Sequence, residues 1–303
     1  MLLFILNLLC VTLKATWRFF IAKGKKSVKG EIVLITGTAQ GLGRQLAIGY
    51  ASKGATVVCV DIQEESNKET VKIISDLGYE KAHAYKCDVS DYAKVLEMCQ
   101  KVESEVGNVT ILINNAGVSY VNFLGRLCET SKAEIEQIIS VNILSHFWTL
   151  KAILPSMLKN NYGHIVAISS MSSFCGLPLL IPYSTSKYAV KGLMDSLQKE
   201  LALYENCQVK TTTIHPFFVD TQMVKQANAH FPSFIPIYKQ DYVAKSIMNA
   251  QRREIIETTV PSYYLPFRCL LGSIPAKCIG LFYRYFNIEV QPNPNSKNKI
   301  SKQ

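Results

Sequence analysis

A short apolar run that leads directly into a glycine-rich turn constrains this chain more than any other feature. Residues 31–36 read Glu-Ile-Val-Leu-Ile-Thr, a β-branched run of the kind that forms a buried parallel strand. The run continues into Gly37, Gly41 and Gly43, and a helical stretch starts at Arg44. Strand, glycine turn and helix in this order predict a phosphate-binding turn, because glycine lets the backbone approach a pyrophosphate and the helix N-terminus offers free N–H groups. A tight turn without a ligand is the alternative.

The alternation of apolar runs and helical stretches continues along the chain. With 303 residues, 48% of them hydrophobic, the chain can form one large core with something added at each end. The alternation predicts an α/β fold, a Rossmann-type doubly wound parallel sheet of about seven strands with helices on both faces. The predicted strands are 32–36, 56–61, 82–88, 109–115, 164–169, 209–215 and 255–260. The predicted helices lie near 41–53, 64–77, 90–106, 131–160, 183–205 and 240–253.

A carboxylate at the end of the second strand indicates which dinucleotide the turn prefers. Asp61 lies eighteen residues after Gly43, where it can accept hydrogen bonds from both hydroxyls of an adenosine ribose and repel a 2′-phosphate. No basic residue follows at 62–64, and Gln40 rather than Lys or Arg lies inside the glycine turn. These residues favour NAD(H) over NADP(H). An NADPH-dependent carbonyl reductase is the alternative.

Tyr183 and Lys187 stand four residues apart, thirteen residues after Ser170. A lysine one helical turn beyond a tyrosine lies on the same helix face, and its charge favours phenolate over phenol. We expect this to bring the pKa of the tyrosine down from about 10 towards neutral pH, where it can act as a base. A serine hydroxyl from a neighbouring strand end could then hold a substrate oxygen beside the phenol. Taken alone, such a pair is more typical of an ordinary helix surface.

Taken together, these motifs resemble the short-chain dehydrogenase/reductase superfamily. The spacing Thr36-Gly37-x-x-x-Gly41-x-Gly43 is followed in order by Asp88-Val89, Asn114-Asn115-Ala116-Gly117, Asn142, Ser170 and Tyr183-x-x-x-Lys187. The resemblance covers residues 30 to 260, and the joint occurrence of the motifs in this order is very specific. Within the superfamily, the chain resembles the epidermal retinol dehydrogenase and 17-beta-hydroxysteroid dehydrogenase branch that is associated with the endoplasmic reticulum and lipid droplets.

The resemblance implies roles for individual residues. Asn114 would steady the central sheet, and Ser169 is the rival of Ser170. The implied catalytic residues are Ser170, Tyr183, Lys187 and Asn142, the last by kinking its helix and holding a water that links Lys187 to solvent. The implied cofactor-binding residues are Thr36, Gly37, Gln40, Gly41, Leu42, Gly43, Asp61, Asp88, Val89, Asn115, Ala116, Gly117, Tyr183, Lys187, Pro216, Val219 and Thr221.

The residues after the sixth predicted strand depart from the family pattern. The family usually has Pro-Gly where this chain has Pro216-Phe217, which places an aromatic ring near the nicotinamide. We expect Phe174 and Phe217 to contact substrate together with Ser170 and Tyr183. Other apolar residues in or after the same loops add to a pocket that favours retinoids, steroids or long-chain lipid alcohols. They are Leu177, Pro178, Leu179, Phe218, Phe231 and Phe234.

Cysteine spacing and charge indicate whether the chain binds a metal, nucleic acid or a membrane. The nine cysteines are scattered, with no metal-ligand spacing, so we expect reduced thiols and no metal site. The net charge of +10 does not form an Arg- and aromatic-rich surface that would read nucleic acid. Six basic residues and no acidic one fall in the first thirty positions, beside an apolar end, which suits anionic membrane headgroups.

The two ends predict how the chain is organised. Residues 1–29 are expected to form a membrane anchor and basic linker, and residues 30–260 the catalytic domain. Residues 261–291, aromatic and basic together, predict a lid or membrane-associated segment, and 292–303 a disordered tail. The anchor could be a span, a hairpin or an interfacial helix, with the catalytic domain facing the cytosol. Family practice further implies a homodimer through helices 131–160 and 183–205. A lipid-droplet or ER surface protein that uses the fold as a binding module, with little catalysis, is the alternative.

Overall fold

The computed structural model describes most of the predicted catalytic domain. It covers residues 24–119, 127–221 and 236–266, with Lys277, Cys278 and Leu281 further on. Several sequence predictions therefore lie outside the described residues: the apolar part of the anchor at 1–23, most of the segment 261–291, the tail 292–303, and the pocket residues Phe231 and Phe234.

Seven parallel strands form one sheet, which confirms the predicted doubly wound architecture. The strand order is β3-β2-β1-β4-β5-β6-β7, so the chain moves outwards from β1 in one direction and then returns to continue in the other. The carboxyl ends of β1 and β4 lie at the point of reversal, where folds of this kind bind their ligands. The strands are β1 Ile32–Thr36, β2 Thr56–Asp61, β3 Ala82–Lys86, β4 Ile111–Asn114, β5 His164–Ile168, β6 Lys210–Pro216 and β7 Glu257–Val260.

The helices follow the sequence prediction except in two places. The predicted helix 131–160 is divided by a π-helical segment, Ser140–Leu144. The predicted helix 183–205 begins earlier, at Ile181, and ends at Leu201, so Tyr183 lies in its first turn. The helices are α1 Gly41–Ala51, α2 Glu64–Asp76, α3 Tyr92–Glu105, α4 Lys132–Ile139, α5 Ser145–Lys159, α6 Ile181–Leu201 and α7 Gln240–Arg252. Short 3₁₀ turns lie at Leu127–Glu129, Met171–Ser173 and Ser262–Tyr264.

The core has two apolar layers, one on each face of the sheet. Along β1, Val33 and Ile35 belong to the layer that contains α1 and α7, whereas Leu34 belongs to the layer that contains α3, α5 and α6. All three side chains are fully buried. Successive residues of a strand point to opposite faces, so a strand covered on both sides reads as continuously apolar. This arrangement explains the apolar run that precedes the glycine turn.

One helical stretch among the described residues, Lys132–Lys159, is long and apolar enough to cross a membrane by length and composition. Leu150, Ile153 and Met157 of this stretch are buried in the layer shared with α3 and α6. The face packed against the sheet therefore accounts for its apolar composition.

The chain approaches the sheet at the amino ends of the strands and leaves it at their carboxyl ends. On the amino side, the backbone N–H of Lys26 donates to Arg252 O (2.8 Å) and Arg252 Nε donates to Lys26 O (2.7 Å). The Lys26 ammonium also pairs with Glu254. On the carboxyl side, β7 ends at Val260, and the chain continues into the predicted lid segment. The basic linker and the C-terminal segment thus meet the domain on different sides.

Candidate active site

The glycine turn between β1 and α1 has the backbone geometry that a pyrophosphate requires. Gly37 and Gly41 have φ values of +76° and +63°, in the left-handed region that favours glycine. A Cβ on Gly43 would lie 1.9 Å from Gly37 O, so the turn closes only around a bare backbone. Gln40, at the N-cap of α1, makes no side-chain capping bond. The first N–H groups of α1 are therefore available to an anion.

Asp61 is fixed at the end of β2 beside this turn. Its Oδ2 accepts from the backbone N–H of Ala39 (2.9 Å), and its Oδ1 accepts from that of Gln63 (2.9 Å). Each carboxylate oxygen has a second lone pair, so Asp61 can still accept from ribose hydroxyls. Asp61, the residue predicted to bind the ribose, is thus hydrogen-bonded directly to the glycine turn that is predicted to bind the pyrophosphate.

A polar junction joins the ends of β1 and β4. Thr36 Oγ1 accepts from the backbone N–H groups of Asn115 and Ala116, both at 3.0 Å. Asn115 Nδ2 donates to Thr36 O (2.9 Å) and Gly37 O (3.2 Å). A Cβ on Gly117 would lie 3.5 Å from both Asn142 Oδ1 and Lys187 Nζ. The segment Asn115–Gly117 therefore connects the glycine turn to the predicted catalytic residues.

The remaining predicted cofactor residues lie around the same edge. Asp88 Oδ1 accepts from Ser90 N (3.0 Å) and Ser90 Oγ (2.7 Å), and Val89 is buried in the layer with α3. Pro216 ends β6, and Val219 pairs with Tyr238 in an isolated bridge. Leu42 packs partly buried against the core at the start of α1.

Thr221 lies over the glycine turn. Its Cγ2 is 4.0 Å from the position that a Cβ on Gly41 would take, and its N–H donates to Val219 O (2.7 Å). The segment after β6 therefore returns across the turn at the switch point of the sheet.

Ser170, Tyr183 and Lys187 adjoin one another at the end of β5. Lys187 Nζ lies 5.6 Å from the centroid of the Tyr183 ring and donates to Ile168 O (3.0 Å). The Ser170 hydroxyl is hydrogen-bonded to the Tyr183 phenol. Ser170 also caps the 3₁₀ turn, accepting from the N–H of Ser172 (3.1 Å).

The electrostatics of the pair differ from the sequence expectation. Desolvation by burial raises the pKa of Tyr183, and the hydrogen bond with Ser170 offsets only part of this rise. Burial also lowers the pKa of the Lys187 ammonium to about 8. The expectation that Lys187 brings the pKa of Tyr183 down is therefore wrong for this arrangement, because the loss of hydration is the largest effect on the phenol. Ser170 is the group whose contact favours the phenolate.

The two neighbouring serines have different environments. Ser169 is buried, and its hydroxyl donates to the main-chain oxygen of Lys187 (2.9 Å), which fixes α6 against β5. The hydroxyl of Ser170 instead contacts the Tyr183 phenol. The hydroxyl of Ser169 is thus engaged with the backbone of α6, whereas that of Ser170 is the one beside the phenol.

Asn142 lies in the π-helical segment and is fully buried. Its Oδ1 accepts from Val118 N (2.8 Å), and its Nδ2 donates to Val118 O (2.9 Å) and Ser186 Oγ (3.0 Å). Ser186 Oγ in turn donates to Tyr183 O (2.6 Å). Asn142 therefore links the loop after β4 to the first turn of α6, at the break in helical geometry that the resemblance implied.

Two buried polar atoms behind this site make no hydrogen bond in the described structure: Asn114 Nδ2 and His146 Nδ1. Thr149 Oγ1 contacts both residues, through Asn114 Oδ1 (2.9 Å) and His146 O (3.1 Å). Burial, and then the charge of Lys187, lower the pKa of His146 to about 3. His146 is therefore a neutral imidazole at physiological pH.

The predicted substrate residues pack on aromatic neighbours. The Phe174 ring tilts against His215, with centroids 4.4 Å apart, and the Phe217 ring stacks on Tyr264 at 5.0 Å. An open apolar cleft of ≈ 470 Å³ lies between the loop after β5 and α6, but it occupies a different face of α6 from Tyr183 and Lys187. Its lining residues are Gly176, Leu177, Pro178, Ile181, Ser184, Thr185 and Tyr188.

Three cysteines of the described domain are buried. Burial raises the pKa of the Cys59 and Cys99 thiols to about 12 and that of Cys87 to about 11. In residues 24–119, 127–221 and 236–266, no group of three or more His, Cys, Asp or Glu side chains is arranged to hold a metal ion.

Sequence reasoning missed two polar residues that support the site. Ser186 connects Asn142 to Tyr183, and His215 contacts the main-chain oxygen of Ser170. A histidine at an inner position of strand β6 was the available signal for the second residue. Nothing local distinguishes Ser186 from an ordinary helix serine.

The sheet order, the glycine turn at its switch point and the polar residues along the same edge define a class of protein. These features are typical of an α/β oxidoreductase that binds a dinucleotide.

The comparisons with known proteins give the family. A family model described as short chain dehydrogenase matches residues 31–231. The chain belongs to this family and is a short-chain oxidoreductase.

Curated relatives agree with this assignment. The chain is 44% identical over 252 residues to "Short-chain dehydrogenase/reductase family 16C member 6" of Bos taurus, covering 83% of this chain and 78% of the relative. It is 38% identical to human "Epidermal retinol dehydrogenase 2", covering 88% and 85%. It is 36% identical to human "17-beta-hydroxysteroid dehydrogenase 13", covering 99% and 97%.

Solved structures share the fold. A short-chain dehydrogenase/reductase from Burkholderia phymatum in complex with NAD has a TM-score of 0.72 at 24% identity, covering 80% of this chain and 93% of that one. A metagenomic short-chain oxidoreductase in complex with NADP has a TM-score of 0.64 at 26% identity, covering 77% and 96%.

Proposed function

We propose that this chain is an NAD-dependent oxidoreductase that interconverts an alcohol and a carbonyl on an apolar, lipid-like substrate, either a retinoid or a hydroxysteroid. The observation that carries the proposal is the meeting of Ser170, Tyr183 and Lys187 beside the glycine turn. The Ser170 hydroxyl contacts the phenol, and the ammonium lies 5.6 Å from its ring. A proton acceptor, a hydroxyl to orient substrate and a cation are the groups that alcohol oxidation needs.

The residues fit NAD. The glycine turn would hold the pyrophosphate against the N-terminus of α1, and Asp61 would accept from the adenosine ribose. Asp88 and Val89 would contact the adenine, and Val219 and Thr221 the nicotinamide carboxamide. A carboxylate beside the ribose repels the 2′-phosphate of NADP, so Asp61 favours NAD.

In the oxidative direction, Tyr183 as phenolate takes the proton of the substrate hydroxyl, while Ser170 orients the substrate oxygen. Bound NAD would supply the acceptor for the hydride of the carbinol carbon. Lys187 carries a positive charge near neutral pH, because its pKa is about 8, and it would bind the nicotinamide ribose. Asn142 supports the proton relay by fixing the first turn of α6 through Ser186.

The substrate class rests on the relatives and on apolar side chains. Relatives named for retinol and 17-beta-hydroxysteroids are 36–38% identical over most of the chain. Phe174 and Phe217 lie after β5 and β6, at the edge that carries Tyr183. Rings at this edge suit a hydrophobic substrate better than a sugar.

The test is NADH formation by membrane fractions that contain the full chain, with retinol and with estradiol as substrates. The proposal predicts turnover of at least one of them with NAD, and much weaker turnover with NADP. Matched fractions that contain Tyr183→Phe supply the control. NADH formation with neither substrate, from a chain that still binds NADH, would favour the binding-module alternative.

We further propose that the chain is held on the endoplasmic reticulum membrane or the lipid-droplet surface, with the catalytic domain in the cytosol. Support comes from the apolar residues 1–13 and the basic residues that follow them. Lys26 is less available to headgroups than its neighbours, because it pairs with Glu254. Removing residues 1–23 should release the protein from membranes, and added protease should digest the domain in intact microsomes. A protected domain would contradict the orientation.

We also propose a homodimer through α5 and α6. Phe147, Ile181 and Tyr188 on these helices are about half exposed, and a second copy would cover them. Light scattering of detergent-solubilised protein should give a dimer, and Phe147→Glu with Tyr188→Glu should give a monomer. A monomeric wild type would contradict this part of the proposal.

A further inference from the structure

A buried polar network joins the glycine turn to helix α2. Thr38 and Ala39 belong to the turn, and Asn67 and Thr70 belong to α2; all four are at most 1% exposed. Thr38 Oγ1 donates to Asn67 Oδ1 (2.7 Å), and Thr70 Oγ1 lies 2.9 Å from Thr38 O. From α1, Arg44 Nε donates to Thr70 Oγ1 (2.9 Å). The part of the turn that contains no glycine is thus fixed by a second helix.

Both main-chain polar groups of Ala39 are bound at this place. Its N–H donates to Asp61 Oδ2 (2.9 Å), and its carbonyl oxygen accepts from Arg44 Nη2. The second oxygen of Asp61 accepts from the N–H of Gln63 (2.9 Å). One oxygen of the carboxylate is therefore held by a neighbour in sequence, whereas the other is held by a residue that Arg44 fixes.

The hydrogen bonds of Arg44 have a fixed direction. A guanidinium stays protonated and only donates, so each of its partners accepts. Besides Ala39 O and Thr70 Oγ1, these partners are Ser66 O (3.2 Å) and Glu69 Oε2 (2.9 Å). The Thr70 hydroxyl accepts from Arg44 Nε and gives its own hydrogen to a main-chain oxygen nearby. Arg44 and Thr70 therefore act together, because removing the hydroxyl takes away an acceptor of the guanidinium.

The surroundings of Arg44 indicate a role in the turn. Arg44 lies at the fourth position of α1, where the helix dipole disfavours a cation. Its ion pair with Glu69 is at the surface, with the Glu69 side chain 59% exposed, and such pairs contribute little to stability. Its other partners are main-chain oxygens and the Thr70 hydroxyl. The guanidinium therefore fixes the geometry at the N-terminus of α1, where the pyrophosphate is predicted to bind.

We propose that Arg44 and Thr70 are positioning residues. They fix Ala39, and through it the Asp61 carboxylate, in the orientation that accepts the adenosine ribose and repels a 2′-phosphate. The inference rests on the role of Asp61 in the proposed function. When Ala39 is released, Asp61 Oδ2 loses its fixed donor, and the carboxylate can turn away from a 2′-phosphate. Discrimination between NAD and NADP therefore depends on contacts behind the turn as well as on Asp61 itself.

The dissociation constants of NADH and NADPH, from fluorescence titration of the detergent-solubilised full chain, test the proposal. Thr70→Val keeps the shape of the side chain and removes the hydroxyl. NADH should then bind about 3- to 10-fold more weakly, while NADPH binding changes by less than about twofold. Thr70→Ser restores the hydroxyl, and its ratio of the two constants should lie within about twofold of the wild-type ratio. A Thr70→Val protein with the wild-type ratio, or with both nucleotides weakened equally, would overturn the proposal.

Substitutions of Arg44 separate the effect of its geometry from that of its charge. Arg44→Met removes every donor and should lower the preference for NADH at least as much as Thr70→Val does. Arg44→Lys keeps the charge but not the planar fork, so its ratio should resemble that of Arg44→Met. If Arg44→Lys instead restores the wild-type constants, attraction of the pyrophosphate by a cation explains the effect and the proposal is wrong. The matched control is Thr258→Val, a buried threonine of β7 at the opposite edge of the sheet from β2 and β3, which should leave both constants unchanged.

A second measurement needs no nucleotide. Hydrogen–deuterium exchange of the protein alone reports the protection of the Ala39 N–H in peptides that cover residues 37–43. Exchange there should be faster in Thr70→Val and Arg44→Met than in the wild type, and unchanged in Thr258→Val. Equal exchange in all four proteins would overturn the proposal. A wild type that binds NADPH as tightly as NADH, or binds neither, would instead contradict the NAD dependence of the proposed function, while the exchange rates still decide whether Arg44 and Thr70 fix the turn.

Discussion

The glycine at position 43 allows a quantitative test of the predicted dinucleotide turn. In Gly43→Ala the new Cβ would lie 1.9 Å from Gly37 O, 2.7 Å from Gly37 C and 2.8 Å from Asn115 Nδ2. Ordinary van der Waals contact begins near 3.4 Å, so the turn or α1 must move by about 1.5 Å. Overpacking of this kind costs about 1–3 kcal/mol, more than the roughly 1 kcal/mol that alanine gains over glycine in a helix.

The difference between the two lowers the expected free energy of unfolding of Gly43→Ala by up to about 2 kcal/mol. We also expect NADH to bind at least about tenfold more weakly, because the displaced turn is the predicted pyrophosphate site and small displacements in such sites are costly. Urea unfolding followed by circular dichroism, and NADH fluorescence titration, measure the two effects on detergent-solubilised protein.

Gly192→Ala is the matched control. Gly192 lies within α6, and a Cβ there meets nothing within 4 Å. Alanine should therefore stabilise the protein by about 0.5–1 kcal/mol and leave NADH binding unchanged. If Gly43→Ala behaves like Gly192→Ala in both assays, the close approach of α1 to Gly37 is not a constraint and the predicted turn loses its main physical support.

Three further substitutions test other parts of the site. Asp61→Ser should reduce the preference for NAD over NADP at least about tenfold, measured as the ratio of dissociation constants; an unchanged ratio would contradict the role of the carboxylate. Burial lowers the pKa of Lys187 from 10.5 to about 8, so the unfolded chain binds more protons here between these values and the stability of the wild type rises with pH across that window. At pH 7, Lys187→Met should thus be more stable than the wild type by about 3 kcal/mol, less the contribution of the lost hydrogen bond to Ile168 O. Denaturant titrations should show this difference in unfolding free energy disappearing by about pH 10.5. A difference that does not change with pH would refute the desolvation argument. Asn142→Asp keeps the acceptor for Val118 N but loses the donors to Val118 O and Ser186, and should lower both the unfolding free energy, by about 1–3 kcal/mol, and kcat; wild-type values of both would contradict the linking role.

The sequence predicted the parts of the fold that depend on neighbouring residues. Strand β1 and its glycine turn follow from a local pattern, and both lie where the pattern puts them. The position of Asp61 at the end of the second strand was also predicted, and the structure adds its bond to the backbone N–H of Ala39 in the turn. Seven parallel strands follow from repeated short apolar runs between helical stretches.

Features that depend on distant contacts could not be predicted in the same way. The break in the helix at Ser140–Leu144 coincides with the bonds between Asn142 and Val118, which are 24 residues apart in sequence. The direction of the pKa shift of Tyr183 depends on how deeply α6 is buried, which spacing alone does not reveal. His215 contacts Ser173, which is 42 residues away in sequence. This contact forms only when β5 and β6 are paired.

Turnover by Tyr183→Phe tests the central claim most directly. This variant keeps the ring and the packing of α6 but removes the phenolic oxygen that is proposed to take the substrate proton. We expect NADH to bind with the wild-type affinity while NADH formation from the alcohol falls by about 10²–10⁴-fold. The matched variant Tyr188→Phe, on an exposed position of the same helix, should keep its activity. Near-normal turnover by purified Tyr183→Phe would contradict the assignment of the proton acceptor and, with it, the proposed mechanism.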